Sequence, residues 1–191
     1  MSQSERRGIH RRHLVTVGST VIAATSLTSS GRASELVTPG ASVRNVTITE
    51  GTNIAVSASP DGQTLAFDLF GVIWTLPVAG GEARRLTDDF TDGAQPDWSP
   101  DGKRLLFQSY RDGTFQVWSV GADGSGLTQH TRGPFDCREP RFSPDGKSIA
   151  YGSDRTGAYA IHVLDLATGA TRVWATAQGQ ACEPAWSPDS R

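Results

Sequence analysis

The 191 residues carry 20% charged and 37% hydrophobic side chains and a net charge of −2, a balance that excludes disordered and fibrous chains and argues against a phosphate-gripping surface. Twenty-one glycines and ten prolines demand many turns, which favours short strands over long helices. One domain with a small appendage fits this length.

Residues 1–33 have the three-part layout of an export signal: basic "RRGIHRR", an uncharged run from Leu14 to Leu27, and small residues ending at Ala33. The run is shorter than the roughly 20 apolar residues of a membrane-spanning helix. Arg11 and Arg12 before "HLV" resemble a twin-arginine signal, with cleavage expected after Ala33. A plain secretory signal or an uncleaved anchor also fits these residues. Five arginines against one glutamate lie in 1–33, so residues 34–191 carry −6, the wrong sign for nucleic acid. The sequence thus predicts a periplasmic or secreted protein with no membrane span in the mature chain.

Residues 34–50 read as a linker with a strand over 42–51, where Val43, Val46 and Ile48 alternate with polar residues; such a strand can close a ring. From residue 51 a repeat takes over. Ser-Pro-Asp begins at Ser59, Ser99, Ser143 and Ser187. An aliphatic residue follows six positions later (Leu65, Leu105, Ile149) and an aromatic eight positions later (Phe67, Phe107, Tyr151), a period of two that marks one face of a strand. Trp74, Trp118 and His162 each stand 25 residues before the next serine of the series. The first unit is shorter only in one hairpin, "DLFG" against "SYRDG" and "SDRTG". Proline, aspartate and glycine in SPDG supply the fixed φ, the local acceptor and the positive φ of a tight turn; Asp61, Asp101, Asp145 and Asp189 are read as turn formers.

Four-stranded units of about 40–45 residues are the signature of propeller blades. The fold class predicted is all-β, a partial β-propeller of four-stranded antiparallel blades: three blades plus the first strand of a fourth, "CEPAWSPDSR". A β-sandwich is the weaker alternative. Three blades and a fraction fall short of the 4–8 of a closed ring, so residues 51–191 are expected to be the truncated start of a longer protein.

"PDWSPDGKRLLFQSYRDGTFQVWSVGADGSGLTQHT" and "EPRFSPDGKSIAYGSDRTGAYAIHVLDLATGATRVW" resemble the TolB-like, WD40-like propeller repeat of exported bacterial proteins, over about residues 51–191. The first unit, with "FDLFGVIW" and "GGEARRLT", is most similar to the opening blade of propellers that precede exported metal-dependent amidohydrolases. The same module precedes peptidase domains. The resemblance implies a non-catalytic binding module for a protein or peptide-like ligand at the channel mouth. The alternative it implies is the substrate-gating propeller of a larger amidohydrolase whose metal site lies elsewhere.

The residues themselves offer no chemistry. There is no His-x-His pair, no Gly-x-Ser-x-Gly elbow and no phosphate loop, so no catalytic residue, metal or cofactor is assigned. His162 is read as a core residue with one satisfied nitrogen, and the five tryptophans as blade packing. Asp97, Glu139 and Glu183 stand next to Pro96, Pro140 and Pro184 at the entry to the innermost strands, where they are candidates to line the channel. Cys137 and Cys182 are either a bridge between repeats or two free thiols.

Overall fold

The computed structural model describes residues 54–177 and 179–190, and the strand backbones of 15–17 and 46–48. The chain divides into two units, Met1–Thr49 and Glu50–Arg191. In the first, β1 (Val15–Val17) pairs antiparallel with β2 (Val46–Ile48), Val15 opposite Ile48. The strand expected within 42–51 is therefore present, and its partner comes from the run read as a signal core.

The second unit holds three antiparallel sheets, each a meander of four strands in chain order. The first contains β3 (Val56–Ala58), β4 (Thr64–Leu69), β5 (Val72–Pro77) and β6 (Arg84–Arg85). The second contains β7 (Gly93–Trp98), β8 (Arg104–Ser109), β9 (Gln116–Gly121) and β10 (Thr128–Gln129). The third contains β11 (Cys137–Phe142), β12 (Ser148–Ser153), β13 (Ala160–Asp165) and β14 (Thr171–Ala175). Among the described residues there is no helix. Inner strand β7 lies against β3 and β4, and β11 against β7 and β8, so the sheets stack as blades around their first strands.

Alternation along the second strand explains the stacking. Leu105 and Phe107, with Trp98 and Val120 of their own blade, point to the first blade and pack with Ala66, Ile73 and Leu86. Leu106, one residue out of phase, points to the third blade and packs with Val117, Cys137, Ile149, Tyr151 and Leu164. A blade is thus apolar on both faces, and each fully buried side chain of this kind stabilises the stack by about 1.5–3 kcal/mol. The recurring aromatic and its landmark are cross-strand partners: Phe67 faces Trp74, Phe107 faces Trp118, and Tyr151 faces His162.

The turns follow the sequence closely. In each SPDG, the serine hydroxyl donates to the aspartate two residues on (2.5, 2.7 and 2.6 Å) and accepts the amide five residues on (2.9 Å in all three). The glycines at 62, 102 and 146 have φ near 70°. The short first hairpin is a two-residue turn, Phe70 and Gly71, both at positive φ, which suits the twist of a tight hairpin. Blades two and three span the same gap with residues 110–115 and 154–159.

Residues 181–190 occupy the place of a fourth inner strand along the third blade. Ala181 N donates to Tyr159 O (2.9 Å) and Trp186 Nε1 to Arg141 O (3.2 Å). Ser190 takes the glycine position of the fourth turn at φ 63°, and its hydroxyl accepts Asp145 N (3.2 Å). Cys137 is buried and Cys182 exposed, and both are free thiols.

Candidate functional site

The inner strands of the second and third blades each enter through a bulge. The register of β7 on β8 skips between Ala94 and Asp97, and that of β11 on β12 between Arg138 and Arg141. The extra residue is left-handed: Gln95 at φ 58°, Glu139 at 54° and, in the fourth segment, Glu183 at 54°. Non-glycine residues pay roughly 1–2 kcal/mol for this conformation. Hydrogen bonds from the preceding blade hold it.

Gln95 N donates to Asp68 Oδ2 (2.8 Å), and Glu139 N donates to Gln108 Oε1 (2.8 Å). Asp68 and Gln108 each follow the recurring aromatic of the second strand. In the third blade that position is Gly152, which has no acceptor to offer. There Glu139 itself takes over: its Oε2 accepts Glu183 N (2.7 Å). Asp68 also accepts Ala55 N through Oδ1 (3.0 Å), and burial pushes its carboxyl above the usual range despite both amides.

The sequence candidates therefore fall into two kinds. Asp97 is turned into the blade contact, where its Oδ2 accepts Phe142 N (2.9 Å). Burial raises its pKa, while that amide and the nearby Arg141 guanidinium pull the other way. Glu139 and Glu183 are brought together at successive bulges, Glu139 half-buried and Glu183 exposed. Arg11, Arg12 and Ala33 lie outside the described residues. Asp68 and Gln108 are not among the candidates the sequence picks out; their one signal is their fixed place after Phe67 and Phe107.

A second polar cluster sits in the outer half of the second blade. Arg104 donates to Ser119 Oγ through Nε (3.2 Å) and Nη2 (2.8 Å). The hydroxyl must then give its own proton to His130 Nε2 (2.8 Å), which places the neutral ring's proton on Nδ1. Burial, with Arg104 nearby, holds the His130 imidazole down at about 4. Ser119 is fully buried, so no substrate reaches its hydroxyl. His162 is 2% exposed and stacks on Tyr151 (5.8 Å), but its Nε2 has no hydrogen-bond partner. The core place expected of it is the one it occupies. Burial lowers its pKa as well. Among the described residues, no group of three or more His, Cys, Asp or Glu side chains could hold a metal ion.

Four-stranded blades stacked on bulged inner strands define a β-propeller repeat protein. The TolB β-propeller domain model matches residues 33–135, more than half of the chain, and the chain belongs to that family. It is 35% identical over 77 residues to an uncharacterized protein of Agrobacterium fabrum, covering 38% of this chain and 26% of that one. It is also 36% identical over 94 residues to an uncharacterized peptidase of Bacillus subtilis, covering 37% of this chain and 14% of the peptidase. A solved structure described as a TolB of Agrobacterium tumefaciens superimposes with a TM-score of 0.65 at 26% identity, covering 76% of this chain and 58% of that one. The chain thus spans about a quarter or less of these curated relatives.

Proposed function

We propose that this chain is the propeller module of an exported protein and binds a protein or peptide-like ligand at the channel mouth without catalysing a reaction on it. The observation that carries this reading is the row of bulges. Gln95, Glu139 and Glu183 occupy one position in successive inner strands, each with its amide pinned by the blade before it. Backbone fixed in this way presents side chains with little ordering cost on binding. The two glutamates suit a peptide amine or another cation.

The test is calorimetric titration of the full chain with short peptides bearing a free amino terminus, alongside their acetylated forms. Acetylation, or Glu139→Gln with Glu183→Gln, is expected to weaken binding by about tenfold, the loss of one good charge contact. Equal affinity for the two peptide forms overturns the reading. Export is checked separately by N-terminal sequencing of the periplasmic protein, with Ser34 expected as the first residue.

A second reading is favoured by the match to an uncharacterized peptidase: the module positions or gates substrate for a hydrolytic domain elsewhere in a larger protein, whether peptidase or amidohydrolase. Extending the coding sequence past Arg191 to a His-x-His pair or a Ser-His-Asp set supports it. A chain that completes six or seven blades and stops goes against it.

A further inference from the structure

Each blade has the same recess at the end that carries the SPD turns, bounded by the start of the second strand, the third strand and the start of the fourth. The registers align it. Ala66, Thr75 and Arg84 stand side by side in the first blade, and Leu106, Ser119 and Thr128 in the second. Two residues before Ala66 and Leu106 come Thr64 and Arg104. In the second blade the recess is filled from within. The Arg104 guanidinium bonds Ser119 Oγ, Gly126 O (2.7 Å) and Thr128 Oγ1 (3.3 Å).

In the first blade Thr64 is too short to do this, and a cleft of about 510 Å³ opens between blades one and two. That volume lies within the roughly 300–1,000 Å³ of small-ligand sites. Its walls include Pro60, Pro77, Pro100 and Trp98, surfaces that suit an alkyl stem. Its polar groups are the hydroxyls of Ser59, Thr64 and Thr75 and the carboxylates of Asp61, Glu82 and Asp101, against Arg84 in the lining and Lys103, whose Nζ lies 3.9 Å from Asp101 Oδ2. Arg84 is tied through Nη2 to the carbonyl of Asp123 across the blade boundary. Hydrogen bonds from Ser59 and Ser99 hold Asp61 and Asp101 below the usual carboxylate range, so both are charged at neutral pH. The cleft therefore keeps net negative charge, three carboxylates against two cations, and has threonine rather than a guanidinium at the place of Arg104.

We propose that the cleft between blades one and two binds an arginine side chain presented by a partner polypeptide, whose guanidinium takes the place that Arg104 takes in blade two. A planar fork can reach a carboxylate and a hydroxyl at once, which a lysine ammonium on its flexible stem does less well. The site is at the opposite end of the strands from the bulges and uses none of the channel-mouth residues, so it stands or falls independently of ligand binding there.

The experiment uses the full chain and two probes, acetyl-arginine methylamide and acetyl-lysine methylamide. Binding is read from the indole N–H resonance of Trp98, assigned by its loss in Trp98→Phe. The arginine probe is expected to shift this resonance saturably, with the lysine probe at least about threefold weaker. Thr64→Arg supplies the guanidinium internally and is expected to cut affinity more than about tenfold, as occupancy of the site requires. Glu82→Gln, an exposed substitution that leaves the fold intact, is expected to weaken binding by about threefold and decides the matter should Thr64→Arg fail to fold. No saturable shift at millimolar arginine probe, equal response to lysine, or unchanged affinity in Glu82→Gln overturns the proposal.

Discussion

Replacing His130 by leucine should remove a specific pH dependence from the stability of this protein. Leucine is the natural occupant of the equivalent place in the first blade: Leu86 N donates to Ile73 O as His130 N donates to Val117 O. The imidazole stands at about 4 in the fold against an ordinary 6.5. With its folded pKa depressed, the unfolded chain takes up the proton first as pH falls. The contribution is complete above pH 6.5, declines between 6.5 and 4, and is flat below. Each pH unit below 6.5 costs about 1.4 kcal/mol, so the loss is about 2 kcal/mol at pH 5 and about 3 kcal/mol at pH 4. Other carboxylates titrate in the same range, but they are common to both proteins and cancel in the difference. Urea unfolding of wild type and His130→Leu at pH 7, 5 and 4 therefore measures the contribution directly, with the variant gaining on the wild type as pH falls. A difference that stays constant from pH 7 to 4, or an NMR titration of His130 centred near 6.5, refutes the hydrogen-bond and burial argument.

The blade contacts give three further expectations. Asp97→Asn keeps an oxygen for Phe142 N but removes a half-buried charge. Since the folded pKa of Asp97 is raised, its stabilising protonated form is lost as pH rises through that value, so the variant should melt higher than wild type at pH 7 and lose this advantage at about pH 3. Ser143→Ala removes a hydroxyl, 1% exposed, that accepts Ser148 N and donates to Asp145, and should cost about 1–3 kcal/mol in urea unfolding. Glu139→Ala should expose the Glu183 amide to hydrogen exchange, and Gly152→Gln in the same chain should restore protection by supplying the acceptor that Gln108 supplies one blade earlier. A Cβ at Gly152 meets Cys182 and Ala181 no closer than 3.6 Å, ordinary van der Waals contact.

What the sequence reveals and what it hides divide along one physical line. Turn chemistry and the two-residue period are local, so SPDG, the aromatic at Phe67, Phe107 and Tyr151, and the second and third strands are legible residue by residue. The first hairpin is legible too, because "LFG" is too short for anything but a tight turn. The blade-to-blade bonds join residues 27–45 positions apart and leave no local pattern. Nothing near Gln95 announces that Asp68 will hold its amide. Glu139 and Glu183 stand out by spacing, but as carboxylates beside prolines; that their backbones are left-handed, and that one caps the other, depends on a glycine at 152 in a different strand. His130 reads in the sequence as a lone histidine, because its partners Ser119 and Arg104 meet it only once the ladder is in place.

The stitches along the inner strands also have a direction. Gln95, Glu139 and Glu183 each give an amide to an acceptor that precedes them in the chain, and so do Phe142 N to Asp97, Trp98 Nε1 to Ser57 O and Trp186 Nε1 to Arg141 O. A chain emerging amino end first has every one of these acceptors before its donor exists. Each finished blade then already carries the acceptors that its successor's inner strand will use.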